Sequence, residues 1–304
     1  VLPCIAGHVG ADTAGVILSE EPQNQDQMTL LVDVGTNAEI VLGDKNRLLA
    51  CSSPTGPAFE GAQISSGQRA AAGAVERVRI DPQTLEPRFR VIGSELWSDE
   101  VDFAAQTSKF GVTGICGSGI IEVVAEMFLA GIITVDGVID GALVERSSRI
   151  IADGRTFSYV LYQPDATAVI GVERTTPITI TQNDVRQIQL AKAALYAGVK
   201  LLMDKVGVER IDRIRLAGAF GSHINVKHAM VLGLIPDCAL DQVSSAGNAA
   251  GTGARIALLN NKSRNTIELL VTNIEKIETA MEPKFQQYFV CLLYTSPSPR
   301  DVEE

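Results

Sequence analysis

A short apolar run that ends in an aspartate most constrains what this 304-residue chain can fold into. Residues 29–33 (TLLVD) are typical of a buried strand, Gly35-Thr36-Asn37 of a turn, and residues 39–42 of a second strand, which together predict a tight hairpin. Glycine lets backbone N–H groups approach a phosphate, while Asp33 faces the accompanying Mg²⁺ or an attacking water. The run therefore indicates a phosphate-binding hairpin, with an ordinary Asp-x-Gly turn as the alternative.

Composition excludes several classes of protein. The chain has 26 basic and 36 acidic residues, a net charge of −10 and a pI of about 4.9. Nucleic-acid binding needs a basic surface, so no nucleic-acid partner is expected. Apolar residues make up 46% of the chain, which is too many for a disordered protein. No apolar run of about 20 residues exists, so neither a membrane span nor a membrane partner is expected.

The cysteines and the chain start give three further expectations. The cysteines are scattered, with no C-x-x-C pair, so no local zinc or iron–sulfur site is expected. They are Cys4, Cys51, Cys116, Cys238 and Cys291. Isolated thiols in a chain of this size indicate a cytoplasmic location. The chain opens in an apolar run without an initiator methionine, so we expect a fragment whose upstream part is missing.

Patterns along the chain predict an α/β protein with a mixed sheet. The clearest helical periodicity covers residues 184–206, with Asn183 as the N-cap. The other predicted elements are a small-residue helix at 10–18, a strand at 48–52, a small β-rich insertion at about 65–105, a helix at 120–130, a β-rich stretch at 134–180, a strand at 211–216, a helix opened by Asn225 and a helix at 248–259.

Two further glycine-rich segments are candidate binding sites. The segment LAGAFG at 216–221 follows a strand and precedes a helix, where small residues let a base or ribose lie against the backbone. A tight packing turn explains it equally well. The segment GICGSG at 114–119 opens a helix, whose free N–H groups favour an anion. It lacks the acidic ribose partner of a dinucleotide site, so a nicotinamide cofactor is not expected.

In combination these features resemble the second half of the acetate kinase/sugar kinase/Hsp70/actin (ASKHA) superfamily of ATPases. Four motifs look like one branch of it, the C-terminal ATPase domain of the reductive activators of corrinoid proteins. They are VDVGTNAEIVL (32–42), CSSPTGPAFEG (51–61), TGICGSG (113–119) and LAGAFG (216–221). The resemblance covers residues 1 to about 275, with 276–290 as a terminal segment and 291–304 as a disordered or artefactual tail.

The resemblance implies a fold and an activity. The fold would be α/β, with ribonuclease-H-like lobes of mixed sheet and flanking helices that clamp ATP. The activity would be ATP hydrolysis coupled to low-potential electron transfer from an iron–sulfur domain to a corrinoid protein. The first phosphate loop and the iron–sulfur domain are expected upstream of this chain. A homodimer is an open alternative.

The resemblance also implies roles for particular residues. Asp33, Gly35, Thr36 and Asn37 would form the second phosphate loop, with Mg²⁺ held through Asp33. Gly218, Ala219 and Gly221 would form the adenosine-side turn, and Gly117, Ser118 and Gly119 would add nucleotide contacts. Asp12 would orient water, although a helix N-cap is the alternative. Ser52 and Ser53 are our candidates for the corrinoid-facing surface, and a polar turn is the alternative.

Two other functions are compatible with the sequence. A small-molecule kinase of the same superfamily would share the phosphate hairpin and would need an acidic base, for which Asp12 or Asp102 is available. A binding scaffold with a decayed nucleotide site is the second alternative. The intact Asp33, Gly35 and Thr36 argue against the scaffold.

Overall fold

The structure is a computed structural model that describes residues 2–164 and 176–294. The described chain divides into two compact units. Of the described residues, the first unit contains 2–56 and 192–293, and the second contains 57–164, 176–191 and 294. Within the described residues, no helix combines the length and apolar character that a membrane span requires.

Groups of consecutive strands are separated by helices along the chain. The strands are β1 (Thr29–Val34), β2 (Ala38–Gly43), β3 (Leu48–Ser53), β4 (Ala74–Ile80), β5 (Pro87–Val91), β6 (Gly114–Ile115), β7 (Ile150–Asp153), β8 (Thr156–Tyr162), β9 (Ile178–Thr181), β10 (Arg213–Ala217), β11 (Val243–Gly247) and β12 (Glu275–Lys276). The helices are α1 (Ala11–Glu20), α2 (Phe103–Thr107), α3 (Gly117–Leu129), α4 (Gln182–Val206), α5 (Gly218–His223), α6 (Val226–Val231), α7 (Ala249–Leu259), α8 (Asn261–Asn273) and α9 (Pro283–Tyr294).

The first unit is built on a six-stranded mixed sheet with the order β11-β10-β1-β2-β3-β12. Strands β1, β10 and β11 are parallel, and β2 is antiparallel to both of its neighbours. The hairpin predicted from residues 29–42 is confirmed, and its three-residue turn places Val34 opposite Ala38 and Asp33 opposite Glu39. The predicted α/β class with a mixed sheet and flanking helices is confirmed.

Each face of this sheet is covered by helices. Leu31, Val41 and Ala50 belong to one buried cluster with residues of α1, α7 and α8. On the opposite face α4 approaches closely, and a Cβ built at Gly198 would lie 2.7 Å from Cδ1 of Ile40. A long, mostly buried helix on one face and three helices on the other account for the uninterrupted apolar character of the central strands.

Helices α1 and α7 cross at two glycines. A Cβ built at Gly253 would lie 1.9 Å from the carbonyl oxygen of Gly15, and a Cβ at Gly15 would lie 2.8 Å from the carbonyl oxygen of Ala250. The small residues predicted on one face of the first helix are therefore explained by backbone-to-backbone packing.

The second unit contains two three-stranded sheets, β5-β4-β6 and β7-β8-β9. The hairpin expected between residues 65 and 105 is present as β4 and β5. Strand β4 of this hairpin also pairs in parallel with β6, and both lie within the second unit. The bounds of the insertion stay a prediction.

Several element boundaries differ from the sequence predictions. Helix α4 begins at Gln182, and its start is fixed by Thr181 and Asp184 rather than by Asn183: the Thr181 N–H donates to Asp184, and the Asp184 N–H donates to the Thr181 hydroxyl. Helix α9 continues to Tyr294 with Leu293 buried, so the tail boundary at 291 falls inside a helix. The remainder of the predicted tail, 295–304, lies outside the described residues.

Candidate nucleotide site

Three strand ends meet at one edge of the first unit's sheet. Because β1, β10 and β11 are parallel, their carboxyl ends lie side by side, with Asp33 next to Ala217 and Ala217 next to Gly247. Ligands of open α/β sheets commonly bind outside such carboxyl ends. The structure therefore brings the Asp33 hairpin and the Gly218 turn together, as the sequence predicts.

The Asp33 carboxyl group lies in an environment that disfavours its charge. It is half-buried, and this burial, followed by the negative charge of Asp12, raises its pKa above the usual value. No described cation forms an ion pair with it. A bound cation would relieve both of the effects that raise the pKa. Asp33 therefore fits the metal-facing role expected of it.

Hydrogen bonds from residues 55 and 56 hold the hairpin turn at 35–37, and the tip of the turn is exposed to solvent. The Thr55 hydroxyl donates toward the carbonyl oxygens of Gly35 and Thr36, at 3.0 and 3.1 Å, and the Gly56 N–H donates to Thr36 at 2.9 Å. Thr36 and Asn37 are exposed. A Cβ built at Gly35 would make only an ordinary contact, 3.5 Å to the carbonyl oxygen of Asn37. The fold itself does not require glycine here, whereas close approach of a phosphate would.

Different contacts explain the two glycines of the 216–221 segment. Gly218 adopts a φ of +79°, and a Cβ built on it would lie 2.5 Å from Oδ1 of Asp33. A Cβ at Gly221 would lie 2.6 Å from the carbonyl oxygen of Leu216, so Gly221 is explained by close packing of α5 onto β10. Ala219 lies between them in the first turn of α5. Of these residues, Gly218 is the one that shapes the space around Asp33.

Asp12 lies in the first turn of α1, and it is not the N-cap. The N-cap is Gly10, and Oδ1 of Asp12 accepts a hydrogen bond of 2.8 Å from the N–H of Thr13. The N-cap alternative is therefore wrong. Asp12 is exposed, and its charge raises the pKa values of both Asp33 and Glu39. It remains available as a water-orienting acid.

Glu39 is a site residue that the sequence reasoning missed. It lies directly across the hairpin from Asp33, is half-buried, and accepts a hydrogen bond of 3.2 Å from the Ser52 hydroxyl. Burial is the main cause of its raised pKa, and the charges of Asp12 and Asp33 add to it. The hairpin register was the available signal, since a turn at 35–37 places residue 39 opposite residue 33.

The two serines proposed to face a partner have different positions. Ser53 is 0% exposed, and its hydroxyl donates to the carbonyl oxygen of Ala194 in α4 at 2.5 Å. The prediction for Ser53 is wrong, because Ser53 points into the sheet face that α4 covers. Ser52 points to the other face, toward Glu39, and is half-buried. Its role stays a prediction.

The 117–119 segment lies in the second unit, at the start of α3. A Cβ built at Gly119 would lie 2.2 Å from the carbonyl oxygen of Val75, so helix-to-strand packing explains this glycine. Gly117 and Ser118 are half-buried in the first helical turn, and their role in nucleotide binding stays a prediction. Asp102, the other acid considered as a base, is exposed in the same unit.

Protein side chains alone do not form a metal cage in the part of the chain that is described. No group of three or more histidine, cysteine, aspartate or glutamate side chains there has metal-binding geometry. Magnesium commonly uses one or two carboxylates together with substrate phosphates and water. The single carboxylate of Asp33 beside the exposed 35–37 turn is compatible with that mode of binding.

The chain is similar to known proteins over nearly its whole length. The family model described as the C-terminal domain of RACo, the ASKHA domain, matches residues 27–300. The chain is 35% identical over 292 residues to the "Corrinoid activation enzyme RamQ" of Eubacterium limosum, covering 95% of this chain and 46% of that protein. It is 25% identical to the "[Co(II) methylated amine-specific corrinoid protein] reductase" of Methanosarcina barkeri, covering 96% of this chain and 51% of that protein.

A solved structure is also similar to this chain over nearly its whole length. The "Reductive activator for corrinoid,iron-sulfur protein" superposes with a TM-score of 0.81 at 33% identity, over 97% of this chain and 44% of that chain. The chain therefore spans about half the length of the curated relatives it matches.

Proposed function

Since the chain belongs to the family of the RACo C-terminal ASKHA domain, we propose that it is the ATP-binding domain of a protein that reactivates corrinoid proteins by reduction. The observation that supports this proposal most directly is the uncompensated Asp33 carboxylate between the open Gly35 turn and the Gly218 turn. Desolvating a carboxylate without a partner is unfavourable, so such a group at the carboxyl ends of parallel strands indicates a functional site.

Each residue at the edge of the sheet has a distinct part in this proposal. The exposed tip of the turn, Thr36 and Asn37, binds the phosphates, since the Gly35 N–H already donates to the carbonyl oxygen of Asn37 at 2.9 Å, and Asp33 faces Mg²⁺. Gly218, together with Gly247 at the neighbouring strand end, leaves room for the adenosine. Asp12 and Glu39 hold water near Asp33. Bound ATP with Mg²⁺ supplies the phosphoryl group whose hydrolysis releases free energy.

The activity of the complete protein, meaning the longer protein that contains this chain, is part of the same proposal. ATP hydrolysis in this domain would be coupled to electron transfer from an upstream iron–sulfur cluster to the cobalt of a corrinoid protein. The names of both curated relatives refer to corrinoid activation or reduction, which supports the choice of partner. A cytoplasmic location is proposed because the coupling needs a reducing compartment.

An Asp33→Ala variant of the complete protein tests the proposal. We expect ATP hydrolysis, measured by phosphate release, to be abolished while the circular dichroism spectrum and the melting transition persist. Undiminished hydrolysis, or loss of the fold, would contradict the assignment of Asp33. The corresponding Asp102→Ala variant is the control for the kinase alternative, because only a kinase would need that residue as a base.

The isolated chain gives a second test. We expect weak ATP binding in calorimetry and negligible hydrolysis with Mg²⁺, because phosphoryl transfer needs donors around the phosphates from several sides. Micromolar binding with steady turnover by the chain alone would favour the kinase over the redox-coupled ATPase.

A further inference from the structure

The outer side of the β4–β5 hairpin in the second unit concentrates positive charge on an acidic protein. We name it the arginine face, and it consists of Arg77, Arg79, Arg88, Arg90 and Trp97. The strand register places Arg77 directly opposite Arg90 and Arg79 directly opposite Arg88. The residues that alternate with them, such as Val78 and Phe89, are buried on the other side. All four arginine side chains therefore leave the hairpin on the same side.

Such pairing opposes the stability of the hairpin. Like charges directly across two strands are destabilising. The positive charges of the two arginines on β4, Arg77 and Arg79, are compensated by Glu122 of α3, which is 0% exposed. Glu122 accepts from Nη1 of Arg77 at 2.8 Å and from Nη1 of Arg79 at 2.7 Å, and also from the Val78 N–H at 3.0 Å. Arg77 and Arg79 are therefore explained by the fold.

The two arginines on β5, Arg88 and Arg90, have no comparable explanation in the fold. Within residues 2–164 and 176–294, Arg88 has no carboxylate partner; it is exposed, with its guanidinium carbon 4.8 Å from the centre of the Trp97 ring. Arg90 pairs with Glu95, whose side chain is 89% exposed. Surface pairs of this kind add little stability. Among the described residues, the positive charge of Arg88 is thus left to face solvent.

Trp97 is held in place over these arginines by the backbone around it. The Ser98 N–H donates to the carbonyl oxygen of Phe89 at 2.8 Å, and the Phe89 N–H donates to the Ser98 hydroxyl at 3.0 Å. The N–H of Trp97 itself donates to Glu100 at 2.5 Å. Trp97 is half-exposed and is the only tryptophan in the chain. Tryptophan and arginine are the residues that most often dominate binding energy at protein interfaces.

We propose that the arginine face docks a carboxylate-bearing surface of the corrinoid protein, an inference that rests on the function proposed above. Arginine binds carboxylates through two parallel hydrogen bonds, and stacking on Trp97 orients Arg88 for this contact. The net charge of −10 disfavours a nucleic acid as the occupant. The side of a two-stranded hairpin also offers a broad surface, which suits a protein rather than a small anion. The unpaired charge of Arg88 therefore fits an acidic protein surface.

An Arg88→Glu variant of the complete protein tests the docking surface against Arg155→Glu. Arg155 is also exposed in the second unit and lies outside the arginine face, in the turn before β8, so both variants change the charge equally. The Kd for the Co(II) corrinoid protein of the same organism is measured at low and high salt. We expect Arg88→Glu to raise the low-salt Kd at least about tenfold, or about 1.4 kcal/mol, and to flatten its salt dependence. We expect Arg155→Glu to leave the Kd unchanged.

Four readouts separate the outcomes: melting curves, ATP hydrolysis, the Kd and sedimentation. Melting curves verify that both variants fold, and ATP hydrolysis without the corrinoid protein reports on the proposed function independently. Equal Kd values for the two variants, with normal ATP hydrolysis, would overturn the docking surface alone. A wild-type protein that neither hydrolyses ATP nor binds the corrinoid protein would overturn the proposed function and the docking surface together. A change in sedimentation of Arg88→Glu with unchanged corrinoid affinity would show that a second copy occupies the face, which also overturns the proposal.

Discussion

Replacing Gly218 by alanine tests the contact that shapes the candidate site. Gly218 has a φ of +79°, and the added methyl group would lie 2.5 Å from Oδ1 of Asp33. Two costs are therefore combined in one variant. The first is the left-handed backbone conformation, and the second is displacement of the carboxylate.

The magnitude of each cost follows from the geometry. Placing alanine in the left-handed region costs about 1–2 kcal/mol. Ordinary contacts at a Cβ begin near 3.4 Å, so the Asp33 oxygen must move by about 0.9 Å, the difference between 3.4 and 2.5 Å. Forcing its side chain off a rotamer adds about 0.5–1.5 kcal/mol. A misplacement of about 1 Å at a reacting centre lowers the rate about 100-fold.

Gly207→Ala is the matched control for the backbone cost. Gly207 follows α4 in the same unit and has a φ of +83°, and a methyl group added there would meet no atom within 4 Å. Urea unfolding of the chain gives the two free energies of unfolding, and phosphate release by the complete protein gives the rates. We expect Gly218→Ala to lose more stability than Gly207→Ala, and to be the only one of the two that loses hydrolysis.

Equal behaviour of the two variants would refute the reasoning. If both lost the same stability and both retained hydrolysis, the Asp33 carboxylate would not need its observed position. If Gly207→Ala also lost hydrolysis, the loss would stem from global destabilisation and not from the site.

Three further outcomes follow from the structure. Asp33→Asn should abolish hydrolysis yet stabilise the chain at pH 7, because the raised pKa of Asp33 means that its charged form opposes folding. The stability advantage of the variant should shrink as the pH falls through that pKa, which urea unfolding at several pH values would measure. Gly253→Ala should destabilise by about 1–3 kcal/mol through its clash with α1, whereas Gly7→Ala, which meets nothing within 4 Å, should not lower the melting temperature. Ser53→Ala should lower the unfolding free energy by about 1 kcal/mol, because the hydrogen bond to Ala194 is lost.

Local sequence signals are sufficient for the hairpin and for several helix starts. The apolar run before Asp33 and the turn at 35–37 define β1 and β2 without any tertiary information. Asn225 and Asn248 cap α6 and α7 as helix-start rules predict, each accepting an N–H from the first turn. These features depend only on neighbours in sequence, which is why they are predictable.

Features that depend on distant pairing are not predictable in this way. Strand β11 has the sequence VSSAG, with a single large apolar residue, and it forms because β10 offers a parallel partner. Ser53 has the sequence context of a polar turn, but the placement of α4 over that face buries it. Propensity and pattern describe one segment at a time, so they cannot show which face a second element will cover.

The relation between Asp33 and Gly218 depends on topology in the same way. The two residues are separated in sequence by the whole second unit, and the parallel pairing of β1 with β10 brings them into contact. Because a methyl group at 218 would occupy the space of the Asp33 oxygen, alanine at 218 and an undisplaced aspartate at 33 are incompatible in one chain. The fold alone would tolerate alanine at 218 at the cost of backbone strain. The requirement for glycine at that position therefore has two sources, the left-handed backbone and the Asp33 carboxylate, and only the second depends on the pairing of β1 with β10.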